Sequence, residues 1–446
     1  MNLILLSGGS GKRLWPLSND IRSKQFIKLF QKSNGSGQLD YESMLQRIYG
    51  QIKTVIPDAD VTIATSKTQI SAIHNQIGSD VSISLEPCRR DTFAAIALAT
   101  AFLHDEKGVS AYESVVVCPV DPYVEVGYFE CIKQMYYEAN KGEKNLVLMG
   151  ISPTYPSEKY GYIIPENHDG NVAYSFKEKP DVNTAAKYIA EGAIWNGGVF
   201  AYRLSYVLNK SKELLGTSDY AELFSNYANM KKISFDYAVV EKELSIEVLR
   251  YSGTWKDLGT WNTLSESMDE KVIGEGVLDD TCENVHVINE LDVPILGMGL
   301  KDVVIGASPD GILVSDKKRS SFIKPFVDAF DHQIMFAEKS WGSYRVLDIG
   351  KNSLTVKVTL NPGHMMNYHS HERRDEVWSV ISGDGFAIVD GKEHPIKIGD
   401  VINLPIGVKH TVFAGPRGLQ LIEVQTGQDI KVEDKKKYDL PILKGS

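Results

Sequence analysis

A glycine-rich stretch near the N-terminus is the feature that most restricts how this chain can fold. Residues 8–18 read Gly-Gly-Ser-Gly-Lys-Arg-Leu-Trp-Pro-Leu-Ser and follow a short apolar run at residues 3–6. The apolar run predicts a buried strand, and glycines directly after a strand let bare backbone N–H groups approach a ligand closely. Such groups commonly bind phosphates. With Arg13 and Lys24 as cations, the stretch predicts a cradle for a nucleoside triphosphate.

The spacing of this stretch excludes two common glycine motifs. A Walker loop needs a glycine five residues before the Gly of its Gly-Lys pair, and Ser or Thr after the lysine. Leu6 and Arg13 occupy those two positions. A dinucleotide fingerprint needs a third glycine where Leu14 stands. For the loop taken alone, a plain strand-to-helix turn is the structural alternative.

Length and charge limit the class of protein. A chain of 446 residues is too long for one hydrophobic core, so two or three domains are expected. Apolar residues make up 43% and charged residues 24%, which is typical of a soluble globular protein. The net charge of −10 disfavours nucleic acid as a partner, because a phosphate backbone requires a basic face. A nucleotide needs only a local group of cations.

Cysteine usage and hydropathy indicate the cellular compartment. Cys88, Cys118, Cys131 and Cys282 form no C-x-x-C pair and fit no zinc spacing, so free thiols in a reducing compartment are the simplest interpretation. No apolar run approaches the roughly 18 residues of a membrane span. The N-terminal apolar run has no basic region before it, which does not fit a signal peptide. We expect a cytoplasmic protein with no membrane partner.

The pattern along the chain predicts an α/β protein with a second, all-β part. Residues 1 to about 265 alternate short apolar strands with amphipathic helices, which predicts a mostly parallel, Rossmann-like sheet. Ligands bind beyond the carboxyl ends of such strands, where Gly8 and Asp121 lie. Short strands with glycines follow to about residue 330, and then almost pure strand and turn. The expected domains are 1–268, a connecting β region with a helix at 269–335, and 336–446.

Several segments resemble one enzyme family. The Arg-Leu-Trp-Pro-Leu-Ser continuation of the glycine stretch is similar to the sugar-1-phosphate nucleotidyltransferases, and in particular to the mannose-1-phosphate guanylyltransferases. Further segments with the same resemblance follow in the order that the family uses: residues 86–92, 115–121, 160–163, 178–180, 195–198, 236–242 and 255–261.

The resemblance implies transfer of GMP from GTP to mannose 1-phosphate, giving GDP-mannose for polysaccharide biosynthesis. Charge neutralisation and in-line positioning carry most of the rate in such a reaction. Four residues are implied in catalysis: Arg13, Lys24, Asp121 and Asp257. The two aspartates are implied as Mg²⁺ ligands. Residues implied in nucleotide binding are Gly8, Gly9, Gly11, Arg13, Lys24, Arg90 and Asp91. Those implied in sugar-phosphate binding are Gly161, Glu178, Lys179 and Asn196.

Simpler roles compete with these assignments. An aspartate at a strand end commonly caps a turn or helix, and Glu178 with Lys179 would also suit a surface salt bridge. Three positions depart from the family pattern: Ser23 replaces proline, Asp91 replaces asparagine, and Pro122 replaces histidine. Asp91 would suit the N–H donors of guanine, or would simply pair with Arg90. These departures leave the reaction type intact and the sugar and base open.

Histidines concentrate in the C-terminal part. Five of the ten lie between residues 364 and 410. His369 and His371 alternate on a predicted strand and therefore share a face. Glu376 and His410 complete a set of three histidines and one carboxylate, which suits Zn, Co or Mn. A histidine pair alone would more often be structural.

The C-terminal spacing resembles the cupin barrels. The G-x5-P-x-G-x2-H pattern ends at His410, and the segments 341–342 and 423–425 make the domain similar to type II mannose-6-phosphate isomerases. That family places an arginine two residues before the glutamate, as Arg374 precedes Glu376, but here Glu372 and Arg373 lengthen the gap after His371. The resemblance implies a second, isomerase activity. A barrel that only binds sugar phosphate or assists dimerisation is the alternative.

The main hypothesis is therefore a bifunctional enzyme that forms a homodimer or higher homo-oligomer. One alternative is a nucleotidyltransferase for another sugar 1-phosphate, such as a heptose or fucose phosphate, or for another nucleotide. The other is a non-catalytic scaffold that binds sugar nucleotides. The intact cations and carboxylates of the first motif set argue against the scaffold, which would need neither.

Overall fold

The computed structural model consists of two compact units. It describes residues 1–9, 11–19, 21–32, 40–166, 170–330, 333–428, 430 and 434–440. The first unit comprises residues 1–10, 23–70 and 76–269, and the second comprises 11–22, 71–75 and 270–446. Among the described residues, no helix is long and apolar enough to cross a bilayer.

The first unit alternates strands and helices. Its strands are β1 (Asn2–Leu6), β2 (Lys28–Lys32), β3 (Asp40–Ser43), β4 (Asp60–Ser66), β5 (Ser82–Glu86), β6 (Ser114–Pro119), β7 (Pro122–Val124), β8 (Leu146–Ile151), β9 (Tyr162–Pro165), β10 (Ala173–Lys177), β11 (Ile194–Arg203), β12 (Ile246–Tyr251) and β13 (Trp255–Asp257). Its helices are α1 (Met44–Val55), α2 (Ile70–Ile77), α3 (Asp91–Asp105), α4 (Gly127–Lys141), α5 (Val182–Ala190), α6 (Leu204–Leu215), α7 (Tyr220–Asn226), α8 (Phe235–Ala238) and α9 (Trp261–Ser265).

A nine-stranded sheet forms the centre of this unit. Its main path is β10-β9-β11-β6-β1-β4-β5, with β8 beside β11 and β12 beside β8. β1 runs parallel to β4 and β6, whereas β11 runs antiparallel to β6 and β8. Leu6 and Pro119 are register partners at the ends of β1 and β6, so the loops with Gly8 and Asp121 leave the same edge. The predicted α/β fold with a parallel sheet is confirmed.

Helix α3 packs deep in the core beside this sheet. An alanine-rich, apolar sequence lets it be buried on nearly every side. The sequence predicts a helix that is opened by Asp91 or Thr92 and capped there. The helix does begin at Asp91, but the predicted cap is wrong. The residue before the helix is Arg90, whose side chain makes no cap bond. Asp91 instead accepts a hydrogen bond from the adjacent N–H of Thr92 at 2.8 Å.

The second unit is built almost entirely from strands. They are β14 (Val272–Ile273), β15 (Gly276–Leu278), β16 (His286–Asn289), β17 (Ile295–Gly297), β18 (Val303–Ser308), β19 (Gly311–Asp316), β20 (Phe336–Lys339), β21 (Gly342–Ile349), β22 (Ser353–Leu360), β23 (His369–His371), β24 (Arg374–Val389), β25 (Lys392–Lys397), β26 (Val401–Leu404), β27 (His410–Gly427) and β28 (Lys435–Lys437). This unit also contains helix α10 (Lys324–Asp328) and residues 71–75 of helix α2.

Two kinds of strand pairing divide this unit. β16 pairs in parallel with β14 and β18, and β15 pairs in parallel with β17. From β20 onward the pairing is antiparallel, with β24 and β27 as the longest partners. His369 on β23 is the register partner of His410 on β27. The all-β C-terminal part is thus confirmed, and its pairing brings two predicted metal ligands together.

Candidate functional site

One cation and two carboxylates converge at the carboxyl edge of the central sheet. Asp121 follows β6, and the short strand β7 pairs antiparallel with β13 so that Pro122 lies opposite Asp257. This pairing brings together the segments that carry the two aspartates. Lys24 Nζ lies 2.7 Å from Asp121 Oδ2 and 3.8 Å from Asp257 Oδ1. The structure therefore groups three of the four predicted catalytic residues.

The donor set of this group suits a hard cation. The side chains of Asp121 and Asp257 are 37% and 39% exposed, so a ligand can reach both. Carboxylate oxygens with remaining water positions are the ligands that Mg²⁺ prefers. Lys24, which is 20% exposed, neutralises part of their charge. The two carboxylates could hold Mg²⁺ here, and that role stays a prediction.

The four predicted sugar-phosphate residues also lie together. Lys179 Nζ donates to Glu178 Oε1 at 2.6 Å, and the backbone N–H of Asn196 donates to the Gly161 carbonyl at 2.8 Å. A Cβ on Gly161 would lie 2.5 Å from Glu178 Oε2, so a side chain there would displace the carboxylate. The salt bridge that competes with the binding role is thus present. A half-exposed Lys179 beside a nearly buried Glu178 still presents its charge outward.

Asp236 joins this group without having been predicted as a site residue. Asn196 Nδ2 donates to Asp236 Oδ1 at 2.7 Å, while Asn196 Oδ1 accepts from the N–H of Gly198 at 3.2 Å. Burial raises the pKa of Asp236 to about 7, and the charge of Glu178 adds to the rise. The segment 236–242 carries part of the family resemblance, so its aspartate could have been identified from the sequence as a candidate site residue. Perturbed carboxyls in a cleft are characteristic of functional sites.

The loop after β1 is held by side chains of the first unit. Gly9 has a φ of +125°, which favours glycine. Its carbonyl accepts from Arg89 Nη2 at 3.2 Å and from Ser23 Oγ at 3.3 Å. Arg90 donates to the carbonyl oxygens of Ala228 and Arg89 and not to Asp91. The ion pair between Arg90 and Asp91, which the sequence analysis gave as an alternative, is therefore not formed between these two described residues.

The remainder of the glycine stretch belongs to the second unit. Gly11 and Arg13 lie in a 3-10 helix at Gly11–Leu14, and Arg13 is exposed. Contacts inside the second unit hold the flanking residues: Lys12 to Asp328 at 2.9 Å, Asn19 to Asp310 at 2.7 Å, and Arg22 to Glu290 at 2.7 Å. That Gly8, Gly9, Gly11 and Arg13 share one cradle stays a prediction.

A second group, which we call the histidine–glutamate cluster, lies in the C-terminal sheet. It consists of His369, His371, Glu376 and His410, whose ligand atoms all lie within 4.8 Å of one another. All four are buried, with exposed fractions of 2% or less. His371 Nε2 lies 2.9 Å from Glu376 Oε1. Three imidazoles and one carboxylate at this separation could hold a divalent transition metal.

Backbone carbonyls orient two of these imidazoles. His369 Nδ1 lies 2.6 Å from the Asn367 carbonyl, and His410 Nδ1 lies 2.9 Å from the Val408 carbonyl. A carbonyl accepts only from N–H, so Nε2 of each ring carries the lone pair that a metal needs. His410 Nε2 is buried without a hydrogen-bond partner among the described residues, although Glu376 Oε2 is 3.4 Å away. An unsatisfied buried nitrogen fits a metal-ligand role.

The charges of the cluster also suit a metal. Burial lowers the pKa of His369 to about 2, and the positive charge of Lys435 lowers it further. Burial acts to raise the pKa of Glu376, but its interactions with His371 and His410 bring that pKa well below its usual range. Metal binding requires neutral imidazoles and an ionised carboxylate. The environment favours these states for His369 and Glu376.

The two extra residues after His371 form a local turn that leaves Glu376 in place. The backbone N–H groups of Glu372 and Arg373 donate to the Asp434 carboxylate at 3.0 and 3.2 Å. Arg374 Nε then donates to Glu376 Oε1 at 3.1 Å. The departure from the family pattern is accommodated by Asp434, which sequence spacing did not indicate.

A cavity of about 390 Å³ adjoins the histidine–glutamate cluster. Its lining includes His369, Arg374 and Glu376, together with Trp341 and Glu423. Burial raises the pKa of Glu423 to about 8, with the charge of Glu376 as a further cause. Small-molecule sites are commonly cavities of about 300–1,000 Å³ with a few convergent polar groups. The cavity thus has the size and polarity of a ligand site.

Comparisons with known proteins agree with both halves of this description. The nucleotidyl transferase family model matches residues 2–272, and the model of the mannose-6-phosphate isomerase C-terminal domain matches residues 329–439. A mannose-1-phosphate guanylyltransferase of Salmonella typhimurium strain LT2 is 29% identical over 97% of this chain and 95% of its own length. One from Escherichia coli K12 is 27% identical over 97% of this chain and 96% of its own length.

Two further relatives extend the comparison. The xanthan biosynthesis protein XanB of Xanthomonas campestris strain B100 is 28% identical over 98% of this chain and 97% of its own length. A crystal structure described as mannose-1-phosphate geranyltransferase from Thermus thermophilus has a TM-score of 0.61 and 29% identity. It covers 73% of this chain and 98% of its own.

Proposed function

We propose that this chain, which belongs to the nucleotidyl transferase family, transfers GMP from GTP to mannose 1-phosphate and releases pyrophosphate. The observation that carries the proposal is the convergence of Lys24, Asp121 and Asp257 at the carboxyl edge of the central sheet. The names of full-length relatives support the sugar and the base.

The proposed reaction transfers the GMP group of GTP by forming one bond to phosphorus and breaking another. An oxygen of the sugar phosphate forms a bond to the α-phosphorus of GTP, and the bridging oxygen to the β-phosphorus leaves with pyrophosphate. Asp121 and Asp257 would hold Mg²⁺, which supplies charge neutralisation for the phosphates. Lys24 and Arg13 would offset the negative charge of the triphosphate. In-line positioning of the two substrates would supply most of the remaining rate acceleration.

The sugar phosphate would bind at the group around Asn196. Lys179 would neutralise its phosphate, while Glu178 and Asn196 would hydrogen-bond to sugar hydroxyls. The second N–H of the Asn196 amide stays available for this, because Asp236 takes only one. Gly161 leaves the space that a side chain would fill.

Pyrophosphate release with Mg²⁺ across four nucleoside triphosphates and several sugar 1-phosphates tests the proposal. We expect turnover with GTP and mannose 1-phosphate. Turnover with another pair would overturn the substrate assignment but keep the reaction. No turnover with any pair would favour a scaffold that binds sugar nucleotides. The Asp257→Asn variant, purified in the same way, controls for phosphatase contamination.

We further propose that the C-terminal part isomerises mannose 6-phosphate and fructose 6-phosphate. The buried histidine–glutamate cluster beside a cavity supports this activity. Zn²⁺, Co²⁺ or Mn²⁺ held there would polarise the substrate oxygens, and a protein base would move the proton between C1 and C2. A coupled assay for fructose 6-phosphate, with each metal restored in turn, tests it. No conversion with any metal would favour a barrel that only binds sugar phosphate or assists dimerisation.

Assembly and compartment are also proposals. We propose a homo-oligomer, because Ile312 and Val314 are 61% and 64% exposed on the edge strand β19. Light scattering would give the mass, and a monomer at micromolar concentration would contradict it. We propose a cytoplasmic location, which the four free thiols support.

A further inference from the structure

Strand β28 carries three consecutive lysines that its pairing divides between two faces. It pairs antiparallel with β23, so that Lys437 lies opposite His369, Lys436 opposite Ser370, and Lys435 opposite His371. Directly opposed residues of an antiparallel pair have their side chains on the same face. Lys435 and Lys437 therefore share the face of the two cluster histidines, and Lys436 lies on the other.

The cavity lining agrees with this division. Lys435 and Lys437 line the 390 Å³ cavity together with Lys339 from β20, whereas Lys436 does not line it. Lys436 Nζ instead lies 5.8 Å from the centre of the Tyr438 ring. Three lysines from two strands thus line one cavity.

The cavity has an excess of positive charge. Its lining contains Lys339, Lys435, Lys437 and Arg374, but among ionisable carboxyls only Glu376 and Glu423. Arg374 is committed to Glu376 at 3.1 Å. In the described part of the chain neither Lys339 nor Lys437 forms an ion pair, and Lys339 Nζ lies 5.5 Å from the centre of the Tyr344 ring. A metal in the cluster would add further positive charge.

The lysines are also close enough to oppose one another. Burial lowers the pKa of Lys339, and the positive charge of Lys437 lowers it further. Like charges held close to one another are costly unless an anion offsets them. A phosphate monoester, with two negative charges and several acceptor oxygens, would satisfy them.

We infer that Lys339, Lys435 and Lys437 form a phosphate-binding subsite that orients a phosphorylated sugar toward the histidine–glutamate cluster. The cavity lining and the register of β28 support the binding of a phosphate group. The identification of the ligand as a sugar phosphate depends on the proposed isomerase function. Trp341 and Tyr344 supply an aromatic wall for the body of such a ligand.

Binding measurements on the full-length, metal-loaded protein test this subsite. The variants are Lys339→Met and Lys437→Met, with Lys436→Met as the matched control from the opposite face of the same strand. Calorimetry would give Kd values for mannose 6-phosphate, inorganic phosphate and unphosphorylated mannose. We expect each cavity variant to weaken binding of both phosphates by about 10- to 100-fold, because a charge-assisted hydrogen bond is lost. Lys436→Met should change Kd by less than about twofold, since its side chain lies outside the cavity.

The outcomes separate the subsite from the catalytic proposal. Wild-type affinity in both cavity variants, equal weakening by Lys436→Met, or no phosphate binding by the wild type would each overturn the subsite. Weakened binding without isomerisation by the wild type would keep the subsite and overturn the isomerase proposal. Unchanged metal content and unchanged pyrophosphate release would show that the variants remain folded. Wild-type binding of both phosphates but not of mannose would support the phosphate group as the recognised part.

Discussion

The two candidate sites differ most in their exposure to water. The side chains of Lys24, Asp121 and Asp257 are between 20% and 39% exposed, whereas the histidine–glutamate cluster is almost fully buried. In the first site water screens the charges, and a cation of the protein itself sits between the carboxylates. A site of this kind suits a metal that arrives with a charged substrate.

The buried site imposes a different requirement. With little water available, its charge states are determined by neighbouring groups, as the lowered pKa values of His369 and Glu376 show. Such a site suits a resident metal, because the environment favours a neutral His369 and an ionised Glu376, as metal binding requires. Exposure to water, as much as residue type, therefore distinguishes a site suited to a metal that arrives with its substrate from a site suited to a resident metal.

The largest effect is expected from Asp257→Asn, which removes a charge from the exposed site at constant shape. Pyrophosphate release should fall by about 100-fold or more, because electrostatic stabilisation of phosphoryl transfer is lost. The metal content of the cluster should not change. Asp58→Asn, an exposed aspartate elsewhere in the unit, is the control. Turnover within twofold of the wild type would show that Asp257 holds no essential metal.

The reciprocal experiment removes a ligand from the buried site. We expect His410→Ala to lower metal affinity by at least about 100-fold, since even outer-shell partners of a metal contribute 10- to 100-fold. Elemental analysis after gel filtration measures the bound metal, and pyrophosphate release should stay normal. His364→Ala, a histidine of the same domain outside the cluster, should retain the metal. Retention of metal by the His410 variant would contradict the assignment.

A smaller effect is expected for Asp236, which we place as a positioning residue for Asn196. In Asp236→Ala the Asn196 amide loses its carboxyl acceptor, so KM for the sugar phosphate should rise about tenfold. KM for GTP should stay constant, which a general structural defect would not produce. The control is Glu241→Ala, an exposed residue of the same segment. Equal increases in both KM values would exclude a specific positioning role.

The smallest effect concerns stability and pH. Because the pKa of Asp236 is raised to about 7 in the folded state, its contribution to stability is present at low pH. That contribution is lost as pH rises from about 4 through 7. Asp236→Asn, which stays neutral, should therefore gain in Tm relative to the wild type between pH 5 and pH 8, by about 2 to 4 °C. A difference in Tm that is constant with pH would show that the carboxyl does not titrate in this range.

Local sequence patterns were sufficient for much of the architecture. The apolar runs at residues 3–6, 115–117 and 146–149 lie within strands β1, β6 and β8. The alternation of His369 and His371 predicted their shared face, and the cupin spacing indicated Glu376 and His410 as their companions. The strands and the shared face of His369 and His371 depend on residues near one another in the chain, and strand periodicity reports such neighbours directly. His410 lies on a different strand and was indicated by the resemblance to the cupin barrels.

Tertiary structure alone decided the features that join distant segments. The hydrogen bond between Asn196 and Asp236, the Asp434 carboxylate under the turn after His371, and the division of lysines on β28 depend on which strands pair and in what register. Residues 11–22 likewise group with the second unit, although their motif reads as one piece with β1. No local period encodes such contacts, because a shift of one residue in register moves every side chain to the other face.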